Sequence, residues 1–162
     1  FGPAKSDGTY LSRMELVDGQ TLQEYLEGGH LFDEEAAFRI TLEVAEVLRY
    51  MASEGLVHRD VKPGNIMLSQ NGRVKLIDLG FCAQQDACDA DGTARGTVQY
   101  LSPEQAEGGA QADIRSDIYA LGVTLFHAVA GRPPFPEGRG LVVLSRHLFD
   151  QIPDVRSLRP QV

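Results

Sequence analysis

The chain has 162 residues and a mass of 17.7 kDa, enough for one domain with a real core; a domain of that size buries roughly 68–70% of the surface its unfolded form exposes. Hydrophobic residues make up 43% of it and charged residues 23%, a globular composition that excludes a disordered chain. Fifteen Lys and Arg against 23 Asp and Glu leave a formal charge of −8, a field that repels a phosphate backbone and excludes nucleic acid as the expected main partner.

Residues 1–8 show no pattern, and Thr9 to Val17 reads as a strand ending at the turn signal Asp18-Gly19. Thr21-Leu-Gln-Glu24 is a capping box that opens a short helix, stopped by Gly28-Gly29. Asp33 is the N-cap of a longer helix through about Ser53. Its apolar residues Ala37, Ile40, Val44, Leu48 and Met51 recur at steps of three and four, which predicts one buried face, and Gly55 ends it. Ile66–Leu68 and Val74–Ile77 are two short strands joined through Asn71-Gly72, a hairpin signal because both residues tolerate positive φ. Residues 80–100 lack periodicity and read as a long surface loop. Asp113 to Ala130 is a helix whose second half is apolar almost all round, which predicts burial on every side; Gly131 and Pro133-Pro134 end it. Leu141 to Phe149 is a last short helix before an irregular tail. The expected fold is α+β, mainly α, with one small β-hairpin.

The chemistry gathers around that hairpin. The segment entering it is Val57-His58-Arg59-Asp60-Val61-Lys62-Pro63-Gly64-Asn65, and the strand leaving it ends Ile77-Asp78-Leu79-Gly80. A hairpin returns its second strand to where the first began, so Asp78 is expected beside Asp60 and Asn65, with Lys62 on the same rim. Two carboxylates brought together cost energy without a cation, and a hard oxygen-liganded ion such as Mg²⁺, carried in with substrate phosphates, resolves it.

These residues resemble a known family. HRDxKxxN followed by DLG is similar to the catalytic loop and metal-binding motif of eukaryotic-type protein kinases. Gly96-Thr97-Val98-Gln99-Tyr100-Leu101-Ser102-Pro103-Glu104-Gln105 resembles the end of the activation segment in bacterial serine/threonine kinases. Ser116-Asp117-Ile118-Tyr119-Ala120-Leu121-Gly122, then Gly131-Arg-Pro-Pro-Phe135, resembles the family's buried central helix and its exit. The motifs stand in the family's order along essentially the whole chain.

The resemblance implies a kinase-like large lobe and phosphoryl transfer from ATP, with Mg²⁺, to protein substrates. Asp60 would accept or orient the proton of the substrate hydroxyl, and Lys62 would neutralise charge on the transferring group. Asn65 and Asp78 would hold Mg²⁺. Glu15 and Val17 would offer main-chain groups to adenine, with Met14 behind the pocket and Met67 as its floor. Thr97 would lie in the substrate-docking segment; Lys62 and Thr97 match the serine/threonine rather than the tyrosine branch. Arg59 would bind a phosphate on Thr93 of the activation segment, although Thr93 equally reads as an ordinary loop threonine. Asp117 and Glu104 would be structural anchors, and His58 would pack near Leu79.

Other readings have less support. Asp89-Ala-Asp91-Gly92 fails as a calcium loop, because Ala87 and Val98 stand where ligands are needed. Cys82 and Cys88 make no disulfide framework and match no metal-ligand spacing, and His30, His127 and His147 show no partners. The longest apolar stretch, Ile118 to Gly131, contains His127 and is shorter than the roughly 20 residues a bilayer requires. A cytoplasmic domain, with a parent chain that a membrane segment could anchor, is the expectation. The family places a glycine-rich loop, a strand lysine and a helical glutamate ahead of the region that this chain resembles, and further helices after it. The chain therefore reads as residues 1–162 of a partial kinase domain without its small lobe, expected to be nearly inactive alone. The alternative is a non-catalytic kinase-like binding module; the intact set Asp60, Lys62, Asn65 and Asp78 favours the enzyme.

Overall fold

A computed structural model describes residues 4–6, 9–11, 14–79, 83–84, 98–107, 112–136, 138 and 140–162. Its core is the packing of two helices, α2 (Glu34–Ser53) and α4 (Ile114–Ala130). Helix α2 starts where the Asp33 carboxylate accepts the Ala36 N–H at 2.7 Å, with Glu34 and Glu35 at the positive end of the helix dipole. It buries the expected stripe: Ala37, Ile40, Val44, Leu48 and Met51. These meet Ala120, Leu121, Val123, Ala128 and Val129 of α4 in one apolar cluster. Helix α4 is capped by Asp113 and closed by Gly131 in the left-handed conformation, whose N–H bonds the His127 carbonyl at 2.9 Å.

The expectation that α4 is buried on every side is not met. Ile118 is 58% exposed and Gly122 is exposed, while Leu125 and Phe126 are half-buried. An apolar composition all round shows that a helix can be covered everywhere; among the described residues, cover reaches only part of α4.

Helix α1 (Leu22–Glu27) has the expected capping box: Thr21 Oγ1 accepts the Glu24 N–H at 3.2 Å and the Glu24 carboxylate accepts the Thr21 N–H at 2.6 Å. The strand expected over 9–17 is shorter. Strand β2 (Thr9–Leu11) pairs antiparallel with β1 (Ala4–Ser6), and residues 14–18 have no regular structure. Nor does Asp18-Gly19 form a turn. Gly19 opens β3 (Gly19–Thr21), antiparallel to β5 (Ile66–Ser69), and a Cβ there would meet the Leu68 carbonyl oxygen at 2.3 Å. Glycine serves close backbone approach at that position.

The hairpin of β5 and β6 (Val74–Leu76) forms as expected, with Ile66 opposite Leu76 and Met67 opposite Lys75. Its loop differs in detail from the simple Asn-Gly reading. Only Gly72 has positive φ (80°), while the Asn71 side chain accepts the Arg73 N–H at 3.3 Å. The Ser69 N–H bonds the Arg73 carbonyl at 2.9 Å, closing a three-residue loop of the type I turn plus glycine bulge kind.

Most of the loop expected over 80–100, with Cys82 and Cys88, lies outside the described residues. Within that span β7 (Ala83–Gln84) pairs with β4 (Leu56–Val57), and Val98–Tyr100 makes a 3₁₀ turn. Short helix α3 (Pro103–Ala106) follows, then α5 (Gly140–Phe149) and a 3₁₀ turn at Val155–Ser157. The tail is tied down by Arg159, whose guanidinium donates to the carbonyls of Phe32 at 2.6 Å and Val129 at 3.0 Å. Among the described residues no helix is long and apolar enough to cross a membrane.

Two histidines without expected partners are structural. The Tyr100 hydroxyl meets His127 Nδ1 at 2.8 Å, joining the 98–100 turn to α4, and the Tyr119 hydroxyl meets His147 Nδ1 at 2.8 Å, joining α4 to α5. Burial holds both imidazoles below the usual histidine range; main-chain groups of Val98 and Gln99 partly oppose this at His147.

Two measurements check this packing. Leu48→Ala, at a side chain 2% exposed, is expected to lower unfolding free energy by about 2–5 kcal/mol in urea. Leu42→Ala on the exposed side of the same helix should change it by less than about 0.5 kcal/mol. The histidines give a pH dependence of definite sign. Their folded pKa values are depressed, so the unfolded chain binds more protons on acidification. Their contribution is present above an unfolded value of about 6.5 and is lost as pH falls toward the folded values. The thermal midpoint should therefore fall between pH 7 and pH 5, less steeply in a His127→Gln/His147→Gln double variant.

Candidate active site

The segment between β4 and β5 is built around buried apolar posts and one buried carboxylate. Val57 and Val61 are each 1% exposed and hold the strand end and the middle of the loop in the core. Between them the chain bends sharply, and Arg59 has φ 67°. A side-chain-bearing residue in that region costs about 1–3 kcal/mol unless its surroundings impose it. Here they do. Asp117 on α4 accepts the His58 N–H on Oδ2 and the Arg59 N–H on Oδ1, each at 2.8 Å, and the Arg59 carbonyl accepts from Gln105 Nε2 at 3.2 Å. Burial raises the Asp117 pKa, and the two main-chain donors oppose the rise.

His58 is fully buried and serves the same bend. Its Nδ1 accepts the Asp60 N–H at 3.3 Å, which puts the ring proton on Nε2, where it donates to the Ile77 carbonyl at 3.3 Å. It thus ties the loop to the end of β6. Leu79, expected as its packing neighbour, is 60% exposed.

The bend delivers Asp60, which is 5% exposed. Its Oδ2 accepts from Lys62 Nζ at 2.6 Å and from Asn65 Nδ2 at 2.9 Å, and Asn65 Nδ2 also reaches the Asp60 carbonyl at 2.7 Å. Asn65 closes a 3₁₀ turn (Pro63–Asn65) whose rigid proline fixes its start. The Ile77 N–H donates to the Asn65 carbonyl at 2.8 Å, so Asp78 stands one residue beyond a main-chain bond to Asn65. Asp78 also has positive φ, 63°. Among the described residues, the two non-glycine residues with left-handed backbone, Arg59 and Asp78, both lie in this segment or at the end of the hairpin that follows it.

The remaining expected residues fall as follows. The Glu15 carboxylate pairs with Lys75 Nζ, whose register partner across the hairpin is half-buried Met67. Val17 is half-buried and Met14, expected behind a pocket, is exposed. Glu104 accepts from the Ser116 hydroxyl at 2.5 Å, which links α3 to α4 beside Asp117. Thr93 and Thr97 lie outside the described residues. Gln105 is the site residue that sequence reasoning missed: its side chain both caps α3 with Ser102 and holds Arg59. Ser102-Pro-Glu-Gln105 has the Ser-x-x-Gln pattern of a capping box, and that signal marks it.

Residues 4–159 match the family model for the protein kinase domain. Over 151 residues the chain is 36% identical to the "Probable serine/threonine-protein kinase PknB" of Lactococcus lactis, covering 92% of this chain and 24% of that protein. Over 160 residues it is 34% identical to the serine/threonine-protein kinase PrkC of Bacillus subtilis, covering 98% and 24%. Over 144 residues it is 40% identical to the serine/threonine-protein kinase PknB of Mycobacterium leprae, covering 86% and 23%. The chain thus spans about a quarter of the length of the curated relatives it matches. Across nearly its whole length, residues 4–159, the chain belongs to the protein kinase domain family.

Proposed function

We propose that residues 1–162 form the large-lobe part of a serine/threonine protein kinase domain, which transfers the γ-phosphoryl group of ATP to Ser and Thr hydroxyls of proteins. The observation that carries this reading is the state of Asp60. One oxygen of its carboxylate is held by an ammonium and an amide, and the other has no hydrogen bond among the described residues. A carboxylate fixed at one oxygen and open at the other is oriented to receive the proton of an incoming hydroxyl. Lys62 places a positive charge beside it, where charge develops on the transferring group. As the substrate oxygen bonds to the γ-phosphorus, the bond to the β,γ-bridging oxygen breaks and ADP leaves.

The donor set fits Mg²⁺. Asn65 spends its Nδ2 on Asp60, which leaves the amide oxygen for a cation, and Asp78 supplies a carboxylate. Among the described residues no group of three or more His, Cys, Asp and Glu is placed to hold a metal, as suits an ion completed by phosphate and water oxygens. When bound, Mg²⁺ would offset phosphate charge. In this reading Glu15 and Val17 present main-chain groups to adenine over Met67, Thr97 docks the substrate, and Arg59 answers a phosphate on Thr93. Asp117 and Glu104 position the loop.

The experiment assays the protein in its natural full length with labelled ATP, Mg²⁺ and a Ser/Thr-rich protein. Transfer is expected, and Asp60→Asn should lower kcat by about 10²–10⁴-fold with an unchanged circular dichroism spectrum. An unchanged kcat would contradict the role of Asp60, and no transfer at all by a folded protein would favour a non-catalytic docking module. The isolated 162-residue chain should transfer little, having no glycine-rich loop to cover the phosphates. Asp117→Asn leaves one of the His58 and Arg59 amides facing an NH₂ group. It should cost about 1–3 kcal/mol in a denaturant titration and lower kcat together with stability.

A further inference from the structure

The peptide unit between Arg59 and Asp60 is the last one before the reacting carboxylate, and side chains hold both its polar ends. The Asp60 N–H donates to His58 Nδ1 at 3.3 Å, and the Arg59 carbonyl accepts from Gln105 Nε2 at 3.2 Å. Asp117 acts earlier in the chain, on the N–H groups of His58 and Arg59. Gln105 therefore bears on Asp60 one peptide unit closer than Asp117 does.

The groups on either side of the Gln105 amide fix its orientation. Its Oε1 accepts the Ser102 N–H at 3.2 Å and the Ser102 hydroxyl at 3.1 Å. A main-chain N–H only donates, so the atom facing it is oxygen. The NH₂ group is left for the Arg59 carbonyl, which only accepts. Gln105 is 6% exposed and Ser102 is fully buried, so little water reaches either bond. Arg59 needs such support, because a side-chain-bearing residue leaves a φ of 67° when nothing imposes it. Released at its carbonyl, the 59–60 unit turns about the Cα–C bond of Arg59 and the N–Cα bond of Asp60. The second of these bonds sets where the Asp60 side chain leaves the backbone. The carboxylate then loses the line on which Lys62 and Asn65 hold one oxygen.

We propose that Gln105 is a positioning residue for phosphoryl transfer: through the Arg59 carbonyl it aims the Asp60 carboxylate at the accepting hydroxyl. This rests on the phosphoryl-transfer reading above. It makes α3, the short helix after the 98–100 turn, a support of the reacting carboxylate as well as an element of the fold.

The test uses the natural full-length protein with labelled ATP, Mg²⁺ and a Ser/Thr-rich protein, with kcat expressed per folded molecule from circular dichroism at each pH. Gln105→Met keeps the length of the side chain without either bond, and should lower kcat about 10–100-fold with the KM for ATP unchanged. Gln105→Glu separates positioning from packing. Ionised, it sets a carboxylate oxygen against the Arg59 carbonyl; protonated, its O–H donates there while the other oxygen still accepts from Ser102. The charged and titratable groups on the segments it joins are Glu104 of its own helix, Asp117 of α4, and His58, Arg59 and Asp60 of the bend. Burial and the carboxylates raise the pKa of the introduced carboxyl, and the Arg59 cation opposes the rise. The protonated, bonded form therefore gains as pH falls, and the ratio of variant to wild-type kcat should rise about tenfold from pH 8 to pH 6. A folded Gln105→Met variant with wild-type kcat, or a Gln105→Glu ratio that stays level over that range, would overturn the proposal and leave phosphoryl transfer standing. If the Met variant does not fold, the Glu profile still decides. No transfer by the folded wild-type protein would overturn both.

Discussion

The arrangement of this site depends on one buried carboxylate. Asp117 is 1% exposed, yet both its oxygens accept main-chain N–H groups from His58 and Arg59. A buried carboxylate is costly without donors, and two buried amides are costly without an acceptor. Each needs the other. That mutual need holds Arg59 in a left-handed conformation that an unassisted chain would leave, and the conformation turns the next residue, Asp60, toward Lys62 and Asn65.

The dependence runs back into the core and forward into the hairpin. Asp117 is fixed because α4 is packed on α2 through residues such as Leu48, Val44, Leu121 and Val123. His58 transmits the loop's position to the Ile77 carbonyl, and the Asn65 carbonyl takes the Ile77 N–H, so β6 ends in register with the loop and Asp78 arrives beside Asn65. Gln105 adds a third support from α3, and the Ser116–Glu104 bond holds α3 against the start of α4. A site that needs side chains positioned to fractions of an ångström is thus supported from a helix, a hairpin and a short capped turn.

Local rules made much of this legible. The apolar spacing of Ala37, Ile40, Val44, Leu48 and Met51 is a period of 3.6 residues, and a helix has one way to bury it. The capping box at Thr21 and the Asn-Gly pair act within a few residues, so they read correctly even though Gly72 alone takes positive φ. Asp60, Lys62 and Asn65 meet within one short segment, and the hairpin's return brings Ile77, the residue before Asp78, back to the Asn65 carbonyl. What was not legible is long-range: β3 beside β5, β7 beside β4, and the Tyr100–His127 and Tyr119–His147 pairs, each joining residues about 25 to 50 positions apart. The composition of α4 misled for a related reason, since it shows which faces tolerate burial and not which neighbours supply it. Asp117 came only from family resemblance; nothing in its local sequence says that it faces two amides 58 and 59 residues away.

Amide hydrogen exchange at His58 and Arg59 decides whether Asp117 holds the bend. If it does, both amides should exchange only through global unfolding, as slowly as those in the middle of α4 and with the same denaturant dependence. Exchange at the rate of exposed loop amides, while α4 stays protected, would contradict it.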